Sequence, residues 1–236
     1  MRKTLGQKIV ESTTLASMLT LGILSSLSAQ ADEAPCAVSS ETKLPFFGDL
    51  HIHTRYSFDS FLSNQKNDPD GAYEYAKGQV ITLPDAYGEQ TISAQIDRPI
   101  DFAAVTDHGQ FLGEVALCDS DWTQAAWWTP VCLMSRAQNL WIQLYAASLW
   151  TVSGGMEGEA PERGIVCSLG DCEENALDIW DDIQQAAERH YDRSEDCSFT
   201  TFVGYEYTQG QEMANLHRNV IFKGEEVTRL PISVFD

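Results

Sequence analysis

Basic residues are scarce: the 236-residue chain has 15 Lys and Arg against 35 Asp and Glu, a formal net charge of −20. A nucleic-acid-binding surface needs cations to replace condensed counterions, and charge of this sign repels phosphate backbones and anionic lipid. Beyond the first 31 residues no stretch is apolar enough to span a membrane. There is no Gly-rich phosphate loop, no Ser nucleophile elbow and no dinucleotide fingerprint, which disfavours nucleotide-dependent transfer and oxidoreduction. Internal repeats, low-complexity tracts and C-x-x-C pairs are also lacking. Hydrophobic residues at 43% and aromatics at 10% supply a core, so the chain is not globally disordered. One compact domain, or two small ones, fits the length.

Residues 1–31 read as an export signal. Arg2, Lys3 and Lys8 form the positive start, Leu15 to Leu27 is mostly apolar, and Ala29-Gln30-Ala31 is an A-x-A cleavage site. The competing reading is an amphipathic helix of the mature protein, but the run is short and the small-residue site follows it directly. The expected location is the periplasm or the exterior, with no stable membrane insertion. Residues 32–43 read as a polar leader. Cys36, Cys118, Cys132, Cys167, Cys172 and Cys197 all follow the signal, an even count that reads as disulfides in an oxidising compartment. Cys118 with Cys132 and Cys167 with Cys172 are the sequence-near pairings, and a zinc site is the competitor.

Strands and helices alternate along the remainder. Leu44 to Thr54 reads as a first buried strand. Asp68-Pro69 is a helix start carrying Ala72, Tyr73 and Ala76 toward a stop at Gly78. Ile100 to Thr106 reads as a second strand that ends on Asp107-His108-Gly109. Five of the six Trp lie between Trp122 and Trp150, in helices joined near Pro130, within an insertion of about residues 119–197. Glu173 to Asp192 has helical spacing; Phe199 to Tyr207 and Leu216 to Lys223 read as strands. The class is α/β.

Chemistry concentrates at strand ends. His51 and His53 are two apart on a strand, so both imidazoles point to one face and can grip one cation; the plain alternative is two surface histidines. Thr106-Asp107-His108 stands at the carboxyl end of its strand, the expected place for site residues, although Asp-His alone also fits a helix cap and a surface His. In Gly204-Tyr205-Glu206-Tyr207-Thr208 a lone carboxylate closes an aromatic strand, where it is costly unless paired or ligating metal; a solvated strand-end Glu is the alternative. His217-Arg218 adds a fourth candidate imidazole and a guanidinium suited to a planar oxyanion.

In this order the four pieces resemble the polymerase-and-histidinol-phosphatase (PHP) superfamily of metal-dependent phosphoesterases, whose strand-end patterns are D-x-H-x-H-T-x-x-S, then T-D-H, then G-x-E-x-T/S, then a later His. More narrowly, 47–61, 97–114 and 215–222 look like an exported bacterial family of unknown function numbered 3604. The resemblance implies a distorted (β/α)7 barrel holding two or three divalent ions (Zn, Mn or Fe), with a metal-bound hydroxide attacking the phosphorus of a small anionic substrate. It implies His51 and His53 on a first ion, Glu206 bridging, His217 on a second and His108 on a third, with Asp59 a ligand or its neighbour. Asp49 and Asp107 would orient imidazoles, Asp107 standing with Arg55 and Arg218 among the catalytic residues, and the two arginines would hold the substrate anion. No ligand motif follows His217, so the expectation is an amino-terminal part carrying about half of a barrel.

Three other readings stay open. An amidohydrolase-type enzyme also begins with His-x-His, but no Lys sits in a suitable motif for it, and a sulfate ester presents the same tetrahedral anion to the metals as a phosphate ester. A Trp-rich module binding a glycan through its aromatics leaves the His pattern unexplained. A metal-binding remnant without turnover is the third.

Overall fold

The computed structural model describes residues 42–84, 91–153, 161–209, 216–224 and 226–236. The export signal and all but the last two residues of the polar leader lie outside the described residues. The fold is mixed α/β. Strands β1 (Gly48–Ile52), β4 (Phe102–Val105), β5 (Thr200–Gln209) and β6 (Leu216–Ile221) form one sheet in the order β1-β4-β5-β6, and β2 (Ile81–Pro84) pairs antiparallel with β3 (Thr91–Ala94) in a separate hairpin. The first three strands of the sheet are parallel and β6 returns antiparallel to β5. The sheet curls into a half-barrel: Asn219 of β6 donates its Nδ2 to Leu50 O of β1 across 2.8 Å, although two strands lie between them in the sheet order. The curled sheet thus has four strands among the described residues where the resemblance implies a barrel of seven.

Helices cover the convex face because their apolar residues recur at helical spacing. Helix α2 (Pro69–Ala76) starts where the sequence places it, with Asp68 accepting from Gly71 N at 2.9 Å and Pro69 at the first position. Helix α6 (Cys172–His190) is capped by Asp171, opens on Glu173 and Glu174, and closes on Arg189 and His190, so both ends oppose the helix dipole. Its Ala176, Ile179, Trp180 and Ile183 pack with Tyr73 of α2 and with Ala103, Val105, Val203 and Tyr205 of the sheet in the main core. Ala103 of β4, with its small side chain, lets both helices lie close to the sheet. Although α6 falls within the expected insertion, it belongs to this core.

A second core holds the Trp-rich segment. It joins α1 (Phe58–Leu62), α3 (Leu112–Cys118), α4 (Pro130–Ser135) and α5 (Leu140–Ser153), and Pro130 does begin a helix there. The disulfides Cys118–Cys132 and Cys167–Cys172 form as sequence proximity suggests. Cys197 is disulfide-bonded as well. Of the six Trp, Trp150 and Trp180 are buried, whereas Trp122, Trp128 and Trp141 are exposed.

The first strand differs from its expectation. It spans only Gly48–Ile52 and is largely exposed, Phe46 keeping 66% of its surface and Leu50 38%. Among the described residues β1 lies at the sheet edge, paired with β4 alone, so its apolar residues gain no second neighbour. Gly48 is needed for that pairing: a Cβ there would stand 2.3 Å from Phe102 O and from its ring. The register shifts between Asp49 and Ile52, a bulge at the start of the His-x-His motif. The β2–β3 hairpin, α1 and α3 have no counterpart in the sequence reading.

Candidate metal centre

The curl brings residues far apart in sequence onto one concave face. His51 and His53 project from the end of β1, His108 follows β4, Glu206 stands in β5 and His217 in β6. Glu206 is fully buried and forms the hub. Its Oε2 lies 2.8 Å from His51 Nε2 and 2.8 Å from His53 Nε2, and those two nitrogens are 3.1 Å apart. Its Oε1 is in close contact with His217 Nδ1, 2.8 Å from Thr208 Oγ1 and 3.7 Å from His108 Nδ1. Each oxygen of one carboxylate therefore faces a different pair of imidazoles.

Asp59 enters from α1. Its Oδ2 is 3.0 Å from His53 Nδ1 and 3.7 Å from His108 Nε2, so His53 and His108 each contact both carboxylates. Three donor groups that could each hold a cation result: His51, His53 and Glu206; His53, Asp59 and His108; His108, Glu206 and His217. The donors of each lie within 4.8 Å of one another. Imidazole with carboxylate suits Zn, Mn or Fe, and the sharing of His53, His108 and Glu206 between groups fits closely spaced ions. A fourth grouping of Glu114, Cys167 and Cys172 differs in kind, because its two sulfurs are joined in a disulfide and offer no thiolate.

The electrostatics match a cation site. Burial works against the Glu206 carboxylate, but the charge of His108 and hydrogen bonds from Thr208, His217 and His51 hold its pKa down at about 2. Burial likewise opposes ionisation of Asp59, and hydrogen bonds with His108 and His53 drive its pKa well below the usual carboxylate range. Burial opposes the His53 imidazolium, yet Asp59, helped by Asp107 and Glu206, raises it to about 9. With a pKa of about 9, His53 would be protonated at neutral pH, and a cation seated on it would have to displace that proton. Metal affinity is therefore expected to climb with pH up to about 9 and level off above it, with roughly one proton released per ion seated on His53 at pH 7. Calorimetry in buffers of different ionisation heat measures that release, and a value of zero would show His53 already neutral.

A family model described as "Protein of unknown function (DUF3604)" matches residues 40–236. The chain belongs to that family. No curated protein and no solved structure matches the chain significantly, so the DUF3604 description brings no activity to the centre and the geometry alone speaks for it.

The remaining sequence-expected site residues of this DUF3604 chain lie around the cluster. Asp107 is buried against Thr54, accepting from its N at 2.5 Å and its Oγ1 at 2.7 Å, which ties the end of β4 to the residue after His53. Burial raises its pKa to about 6 against those two hydrogen bonds. Asp49 accepts from His51 N at 2.9 Å. Arg55 is ion-paired with Asp119, and Arg218 bonds the His217 carbonyl at 3.0 Å. Neither guanidinium has a contact with the imidazole cluster among the described residues. Sequence reasoning missed Thr208, whose hydroxyl lies 2.8 Å from His108 Nδ1, 2.8 Å from Glu206 Oε1 and 3.2 Å from His217 Nδ1. Its signal was there: Thr208 follows Glu206 by two on one strand, so both side chains share a face.

Proposed function

We propose that the chain is a divalent-metal-dependent hydrolase of phosphate esters, built on the PHP superfamily plan. The observation that carries this reading is Glu206: a fully buried carboxylate whose two oxygens are divided between His51 with His53 and His108 with His217. An apolar strand end tolerates such a group when charge on both sides compensates it. His51, His53, Asp59, His108, Glu206 and His217 would hold two or three ions, which when bound supply Lewis acidity and a water of lowered pKa.

The chain's own residues do the positioning. Thr208 fixes the His108 ring through Nδ1 and leaves Nε2 facing Asp59. Asp107 anchors Thr54, and with it the strand end that carries His51 and His53. The substrate is a small anion drawn by local positive charge against a net charge of −20. Export to the periplasm or exterior belongs to the same reading: the disulfides favour an oxidising compartment, and no helix among the described residues is long and apolar enough to cross a membrane.

Elemental mass spectrometry on the purified protein tests the reading. One or more Zn, Mn or Fe per chain is expected, lost in the His51→Ala, His53→Ala double variant with circular dichroism unchanged, together with metal-dependent phosphoester cleavage. A folded protein that takes up no metal on reconstitution would overturn it.

A further inference from the structure

Two cavities flank the candidate centre, and neither is explained by the six donors. The larger, ≈ 600 Å³, is lined by His51 and His53 at one end and runs between β1, α2 and the β2–β3 hairpin. Its walls are apolar, with Ile81, Leu83, Ile96 and Ile100 among them. Besides the histidines, its polar lining residues are Asp49, Thr54, Tyr75, and the amides Gln65 and Asn67. Gln65 Oε1 already accepts from Lys66 N, Asn67 N and Asn67 Nδ2, and Asn67 Nδ2 also donates to Thr82 O. What the pair has left for a ligand is the Gln65 amide N–H and the Asn67 carbonyl oxygen, one neutral donor and one neutral acceptor.

The second cavity, ≈ 280 Å³, meets the centre at Asp59 and lies between α1 and α5. Phe58, Leu62, Leu140 and Leu144 make it apolar, and Phe58 also packs on the His108 ring with centroids 4.7 Å apart. His51, His53 and Asp59 thus each border apolar space.

Neither cavity is lined by a Lys or Arg among the described residues. A phosphate monoester near neutral pH carries close to two negative charges, its second pKa lying at about 6, and has one organic substituent. A diester carries one charge and two substituents. The paired apolar space fits the two substituents of the diester.

We propose that the substrate is a phosphodiester with two apolar or aryl substituents, one seated in each cavity; this rests on the metal-hydrolase reading above. In the reaction water attacks phosphorus, and the P–O bond to one substituent breaks. A proton from the water passes to the departing oxygen, giving a phosphate monoester and an alcohol or phenol.

The test compares bis(4-nitrophenyl) phosphate with 4-nitrophenyl phosphate on the metal-loaded protein, beside the variants Leu83→Trp and Leu144→Trp, which narrow the two cavities without touching the donors. The expected result is a kcat/KM at least about tenfold higher for the diester, and a diester KM raised at least about fivefold by each variant. If a Trp variant fails to fold by circular dichroism, Leu83→Phe or Leu144→Phe takes its place. Equal or better cleavage of the monoester, or variants that leave the diester KM unchanged, would overturn the inference while the hydrolase reading stands. Metal uptake without cleavage of either ester would remove the hydrolase reading and the inference with it.

Discussion

Glu206→Gln is expected to lower metal affinity at least about tenfold and phosphoester turnover at least about 10²-fold, with little change in far-UV circular dichroism. Gln keeps the volume but loses the charge that two pairs of imidazoles share. The effect should exceed that of removing any one imidazole, because every other donor of the centre except Asp59 contacts this carboxylate. Metal content by elemental mass spectrometry and single-turnover rates decide it, and wild-type values for both would show that Glu206 serves packing alone. The pKa of Glu206, held at about 2, means that ordinary acidification does not mimic the variant; loss of metal on mild acidification would come from the imidazoles instead.

Trp180→Ala is expected to cost about 3–5 kcal/mol of stability, a fall in Tm of roughly 6–20 °C for a chain of this size. Trp180 is 1% exposed, lies edge-on to Tyr205 with centroids 5.9 Å apart, and contacts Phe222. Its Nε1 donates to Thr228 O at 2.9 Å, so truncation opens a cavity and also leaves a carbonyl unpaired. Because Trp180 joins α6 to β5, the loss should reach the Glu206 strand and weaken metal retention in parallel with thermal stability. Thermal melts with and without metal separate the two effects, and a Tm shift under about 2 °C would contradict the core described above.

The donor set was legible because it obeys strand periodicity. His51 with His53 keeps a spacing of two, His108 follows an apolar run, and Glu206 is the one carboxylate in an aromatic strand, so each betrays its facing without any knowledge of its partners. Helix α2 was legible for a similar local reason, an Asp-Pro start. What stayed hidden depends on contacts between segments. Arg55 carries the charge an anion site needs, but Asp119 lies 64 residues away in sequence, and only the fold shows that the two meet. Asp107 reads as a partner for the adjacent His108, yet the parallel pairing of β1 with β4 turns it toward Thr54. The exposure of β1 was likewise invisible, because an apolar strand at a sheet edge and one at its centre have the same composition.

The donors come from five segments, and His51 stands far from His217 along the chain. The first and last of them meet only after β1, β4, β5 and β6 are all aligned, so loop closure has to precede coordination. On the proposed reading, metal would therefore join late in folding and bind the native state almost exclusively, adding RT ln(1 + [L]/Kd) to its stability. With ions so held, removing them by a chelator would lower the stability of the folded state by that amount and so favour unfolding, as a denaturant does.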